Sequence, residues 1–125
     1  MKTFDDLVVW QRAHQLVLDI YRATKRLPPD EQYGLVAQMR RSAVSVAANI
    51  VEGHKRRRQK EFANFIVISQ GSLEELKYHI RLCRDLTYLS PDLAASLFTT
   101  ADEVGRMLHG LKAHIRKEVL DEVPV

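Results

Sequence analysis

Between Phe62 and Thr87 the residues Phe62, Ile66, Ser69, Leu73, Leu76, Ile80, Cys83 and Thr87 alternate steps of four and three. That rhythm keeps one stripe on one face of an α-helix, and a strand would scatter the same residues over both faces. Three more stretches carry such a stripe: Val9, Ala13, Leu16, Ile20, Ala23 and Leu27; Leu35, Met39, Ala43, Val46 and Ile50; and Leu93, Leu97, Ala101, Val104, Leu108, Leu111 and Ile115. A second stripe on the first stretch, Trp10, Val17 and Tyr21, makes its apolar face wider than one bundle core can cover, which favours association.

Local punctuation sets the boundaries. Leu27-Pro28-Pro29-Asp30 stops the first helix, because a residue before proline is pushed out of the α region. Gly53 is suited to the left-handed conformation that ends a helix. Ser90-Pro91-Asp92 reads as N-cap, first-turn proline and an acid at the positive end of the dipole. These signals predict helices at about 6–27, 34–53, 59–87 and 91–119, far above the usual helical share of about a third. Long helices on short connections predict an all-α, antiparallel up-down-up-down four-helix bundle. It fills residues 1–125 as one domain, with short flexible ends at about 1–5 and 120–125. Gly71, Gly105 and Gly110, isolated within helical patterns, read as points of close packing.

Charge is uneven. Residues 1–60 hold twelve Lys/Arg against six Asp/Glu, and residues 61–125 hold seven against ten, which together make the net +3. A single cysteine, Cys83, excludes an intramolecular disulfide and fits a reducing, cytoplasmic setting. No apolar segment follows Met1-Lys2-Thr3-Phe4, so no signal peptide is expected, and no apolar run is long enough to span a bilayer.

The positive excess collects in one place. Lys55, Arg56, Arg57, Arg58 and Lys60 crowd the junction of the second and third helices, where like charges repel unless water or an anionic partner offsets them. Arg40 and Arg41 are candidates to join them at phosphates. On the second helix Arg41, Ser45, Asn49 and Glu52 form a polar stripe, readable as a solvated face or as a hydrogen-bonded seam against another helix or another subunit.

Catalytic and metal-binding patterns are incomplete. A di-iron bundle needs Glu-x-x-His pairs, whereas Glu75 and His79 are four apart and Glu74 and His79 five apart. His109 and His114, five apart, point to different faces and make no zinc site. Cys83 lies on the core seam as an inert thiol. Glu74-Glu75 and the Glu118/Asp121 pair fall short of the paired carboxylate motifs of helical nucleotide pyrophosphatases. Arg106 has His109 too close and His114 too far for a helical ribonuclease. No enzymatic activity, cofactor or metal is expected.

The opening Leu7-Val8-Val9-Trp10-Gln11-Arg12-Ala13 resembles that of proteins encoded in intervening sequences of bacterial 23S ribosomal RNA genes. So do Tyr33-Gly34-Leu35, Gln38-Met39-Arg40-Arg41-Ser42-Ala43-Val44-Ser45, Asn49-Ile50-Val51-Glu52-Gly53, Lys60-Glu61-Phe62, Gly71-Ser72-Leu73-Glu74-Glu75-Leu76 and Leu86-Thr87-Tyr88-Leu89-Ser90, in the same order over about residues 4–115. Two positions depart: Ala47 stands where members commonly carry proline, so the second helix is expected to be less kinked, and Thr87 stands where glycine is usual. The resemblance implies a compact four-helix bundle assembling as a ring-like homopentamer. It also implies kinship with the accessory proteins of diversity-generating retroelements, which pair with a reverse transcriptase and bind nucleic acid through a basic surface. The role of the intervening-sequence proteins themselves is unsettled.

Two readings follow. One is a non-enzymatic oligomer whose basic loop contacts RNA or DNA phosphates, giving affinity and salt dependence but little sequence information. No aromatic interleaves the run, which argues against stacking on single-stranded bases. The other is a protein-binding oligomeric scaffold, for example an accessory subunit of a reverse transcriptase. Beside both stands simple solvation of the loop, helped by the negative end of the second helix and a Glu52–Arg56 pair. A membrane partner is not expected, since every helix has a core to join.

Overall fold

The structure, a computed structural model, describes residues 4–122. The expected flexible ends fall partly outside the described residues, at 1–3 and 123–125. A 3₁₀ turn at Phe4–Asp6 leads into α1 (Val8–Thr24). Then come a 3₁₀ turn (Pro29–Glu31), a π turn (Gln32–Val36), α2 (Ala37–His54), α3 (Gln59–Asp85) and α4 (Pro91–Glu122). There is no strand among the described residues, and the chain is an all-α four-helix bundle.

Partners between neighbouring helices count in opposite directions. Along α2 and α3, Met39 meets Cys83, Val46 meets Ser69, and Gly53 meets Phe62. Along α3 and α4, Lys77 pairs with Asp102 at 2.9 Å, Gln70 accepts from Lys112 at 2.9 Å, and Gln59 donates to Glu118. The expected stripes supply the core: Leu16, Ile20, Ile66, Leu73, Leu76, Ile80, Val104, Leu108 and Ile115 are buried. Each such side chain contributes about 1.5–3 kcal/mol by leaving water. The extra stripe of α1 is only partly covered. Trp10 takes Phe4 on its edge and stacks on His14, while Tyr21 lies under the Arg40 guanidinium.

Helix ends depart from expectation for local reasons. After Thr24 the chain tightens: Lys25, Arg26 and Leu27 donate to carbonyls three residues back, so α1 ends before the prolines force it to. At Gly34 the backbone leaves helical geometry (φ −105°, ψ −107°), and regular α2 starts at Ala37 instead of 34. From there α2 runs unbroken past Ala47. Ser90 caps α4 as expected, its Oγ accepting from the Leu93 N–H at 3.1 Å. That helix then continues to Glu122, past the expected 119.

Two helix endings differ from the reading of their residues. Gly53 has no left-handed backbone and sits inside α2. A Cβ there would lie 2.8 Å from both Phe62 Cδ1 and Phe65 Cβ, so the missing side chain lets α2 and α3 close together. The left-handed residue is Thr87, at φ 63°. Around it the Tyr88 N–H reaches the Cys83 carbonyl at 2.8 Å, and the Thr87 N–H reaches that of Arg84 at 3.0 Å. This is the Schellman arrangement that glycine usually completes, here carried by a β-branched residue. α3 thus ends at Asp85, two residues short of Thr87, the last member of the stripe and the expected end of the helix. Of the three glycines expected at close contacts, only Gly105 has one, 3.4 Å from Leu73 Cδ2, whereas Gly71 and Gly110 face open space.

A cationic cleft at one end of the bundle

Lys55, Arg56, Arg57 and Arg58 form the connection from α2 to α3, with Lys60 on the first turn of α3, and all five are exposed. Arg56 pairs with Glu52 at 3.5 Å and lays its guanidinium over the Phe65 ring at 4.7 Å. An exposed pair of this spacing is worth about 0.3–0.5 kcal/mol. Among the described residues Lys55, Arg57, Arg58 and Lys60 make no ion pair. Arg116, near the end of α4, lines a shallow depression together with Lys60, and exposed Lys117 follows it. Neither was singled out in the sequence, because more than fifty residues separate them from the loop.

The helices do not all reach this end. With Arg12 opposite Glu103 at 3.2 Å, α1 begins about a turn further on, and α4 continues past it for roughly four turns. The gap is an open cleft of about 310 Å³, walled by α2, the loop, α3 and α4 and by nothing from α1. Phe62, Leu111 and Ile115 make its apolar floor, and Arg56, Arg57, His54 and His114 stand around the rim. Glu118 organises one side: it accepts from Gln59, and His114 Nε2 lies 2.8 Å from its other oxygen. His54 meets the Phe62 ring edge-on, with centroids 5.9 Å apart. The aromatic groups missing from the basic run are therefore supplied around it by the fold.

The two other arginine candidates lie elsewhere. Arg40 is fifteen residues from Lys55 along α2, roughly 22 Å. Its Nε donates to the buried Thr24 hydroxyl at 2.9 Å and it holds the α1–α2 junction. Arg41, nearby, donates to Gln38 and stays exposed. The structure does not bring either to the loop.

The polar stripe of α2 divides in the same way. Ser45 and Ser72 hydroxyls meet at 2.7 Å, Asn49 donates to the Ser45 carbonyl and hydroxyl, and Ser69 donates to the Val46 carbonyl. Ser45 and Asn49 thus belong to a hydrogen-bonded α2–α3 seam, whereas Arg41 and Glu52 are on the solvent side.

Two buried groups show no link to chemistry. Burial pushes the Cys83 thiol up to about 11, and its Sγ donates to Met39 Sδ at 3.4 Å. His79 is buried, with Nε2 3.9 Å from Glu75 and Nδ1 without a hydrogen-bond partner among the described residues. Desolvation holds its pKa below the usual histidine value against the upward pull of Glu75, with a smaller downward push from Arg41. Among the described residues no group of three or more His, Cys, Asp or Glu side chains could hold a metal ion, and no helix is long and apolar enough to cross a membrane.

A family model described as 23S rRNA-intervening sequence protein matches residues 5–110. No curated protein matches the chain. Among solved structures, a protein with unknown function from the S23 ribosomal protein family of Bacteroides thetaiotaomicron is similar in fold. It has a TM-score of 0.77 and 23% identity, and the likeness covers 84% of this chain and 98% of that one.

Proposed function

We propose, from the premise that the chain belongs to the 23S rRNA-intervening sequence protein family, that it is a non-enzymatic, cytoplasmic homo-oligomer binding RNA or DNA phosphates through its cationic end. The observation that carries the reading is the gathering of exposed cations there, Lys55, Arg57 and Arg58 from the connection, Lys60 from the first turn of α3, and Arg116 and Lys117 from α4. Flexible exposed cations suit phosphate oxygens, which reward charge without demanding one geometry. In a homopentamer the same end would recur in each subunit, and contacts weak in one copy would add by avidity. The half-covered stripe of Trp10, Val17 and Tyr21, beside exposed Val44 on α2, offers an apolar surface for that assembly.

The test is salt-titrated binding of structured rRNA and duplex DNA. The Lys55/Arg56/Arg57/Arg58/Lys60→Ala protein is expected to lose most of its affinity and to show a flatter dependence of log K on log salt. Unchanged affinity and slope would overturn the assignment. Light scattering reads assembly independently, and a monomer at micromolar concentration would contradict the oligomer. A second reading, a protein-binding oligomeric scaffold, is favoured by the exposed apolar side chains Val67, Ile68 and Tyr78 on α3. It predicts that substitutions on that face abolish partner capture while nucleic-acid binding is absent from the start.

A further inference from the structure

The cationic end is more than a charged surface, because its cleft combines two chemistries. A phosphate backbone lying across exposed arginines needs no apolar floor. Here Leu111, with the largely buried Phe62 and Ile115 behind it, lines the same cleft as Arg56 and Arg57. We infer that the cleft holds one unpaired nucleotide, its base against the apolar floor and the exposed His114 ring, and its phosphate on Arg57. The inference rests on the nucleic-acid reading above and narrows it from phosphates in general to unpaired strands or strand ends.

Size, charge and placement support this. A volume of about 310 Å³ is at the small end of the range for ligand sites, roughly 300–1,000 Å³, and suits a single nucleotide better than a duplex. A base in a duplex presents its edges and keeps its faces stacked, so only an unpaired one can lay a face on such a floor. The rim is cationic on the loop side. On the α4 side Glu118 is the one carboxylate among the described lining residues, and it is already engaged by Gln59 and His114. That engagement turns His114 into a positioned ring at the mouth. The α4 wall, Leu111 to Glu118, lies beyond the residues matched by the family model, so this half of the cleft is not part of the matched pattern.

Three RNA probes on the full-length protein test it: a blunt hairpin, the same hairpin with a three-nucleotide 3′ overhang, and that overhang made abasic. The last two carry equal phosphate charge, so their difference isolates the base. The overhang is expected to bind about tenfold tighter than its abasic twin. That preference should vanish in Leu111→Trp, which fills the cleft, and shrink in His114→Ala, whose exposed side chain can be removed without unfolding risk. Blunt-hairpin affinity should stay unchanged in both. Equal binding of the overhang and its abasic twin overturns the nucleotide cleft and leaves the phosphate reading standing. Absence of salt-dependent binding to all three probes overturns both.

Discussion

The two ends of this bundle are built to different rules. At one end Leu27, Val36 and Leu89 are buried, the Thr87 turn closes α3 with two backbone hydrogen bonds, and Ser90 caps α4. At the other end the connection is four basic residues, α1 stops short, and a cleft stays open between the remaining helices. Closure lowers free energy by hiding apolar surface and satisfying backbone groups. Open, mutually repelling charge does neither. The contrast teaches that the basic end is not what stability alone would select, which is the physical ground for reading it as a place of contact.

Substitutions at each end sharpen the contrast, and the largest effect belongs to the closed one. Leu89→Ala removes a side chain only 2% exposed and should cost about 2–4 kcal/mol in denaturant unfolding without changing nucleic-acid affinity. Gly53→Ala comes next. Its Cβ would press on Phe62 and Phe65, and overpacking of about 1–3 kcal/mol outweighs the helix-propensity gain of up to about 1. A net loss of about 1–2 kcal/mol is expected, and because Phe62 floors the cleft, any preference for unpaired strands should weaken with it. Thr87→Gly should stabilise by about 1 kcal/mol by relieving a left-handed β-branched residue, read as a higher melting temperature. A loss of stability there would show that the turn is not strained.

The smallest effect is a pH dependence. Desolvation holds the pKa of His79 in the fold below that of the unfolded chain, so the unfolded state takes up the proton first. Its contribution is present above about pH 6.5 and is lost as pH falls below that value. Urea midpoints measured from pH 8 to pH 5 should fall for the wild type and fall less for His79→Leu. Parallel curves would contradict this.

Much of the fold was legible because burial repeats with the helical period. Leu16, Ile20, Leu73, Leu76 and Ile80 were placed on core faces by spacing alone, and they are buried. What could not be read depends on partners from distant parts of the chain. Gly53 carries no sign of Phe62 and Phe65, so its letters suggest a left-handed helix end where the actual cause is contact. Arg40 has the right chemistry for phosphate, yet Thr24 and Tyr21 engage it at the other end of α2. The basic loop was visible as a run of letters. The cleft beside it was not, since His54 and His114 are sixty residues apart and meet only through helix register.

If charge acts at the open end specifically, removing equal charge from the two ends must give different results. One variant replaces Arg57, Arg58 and Lys60 by Ala. Its control replaces Arg22, Lys25 and Arg26, equally exposed at the closed end. In the first variant the slope of log K against log salt should fall in magnitude by about 0.7–0.9 for each phosphate no longer neutralised. In the second it should hold its wild-type value. Equal slopes in the two variants would contradict the account, because binding would then follow net charge and not the place where this fold gathers it.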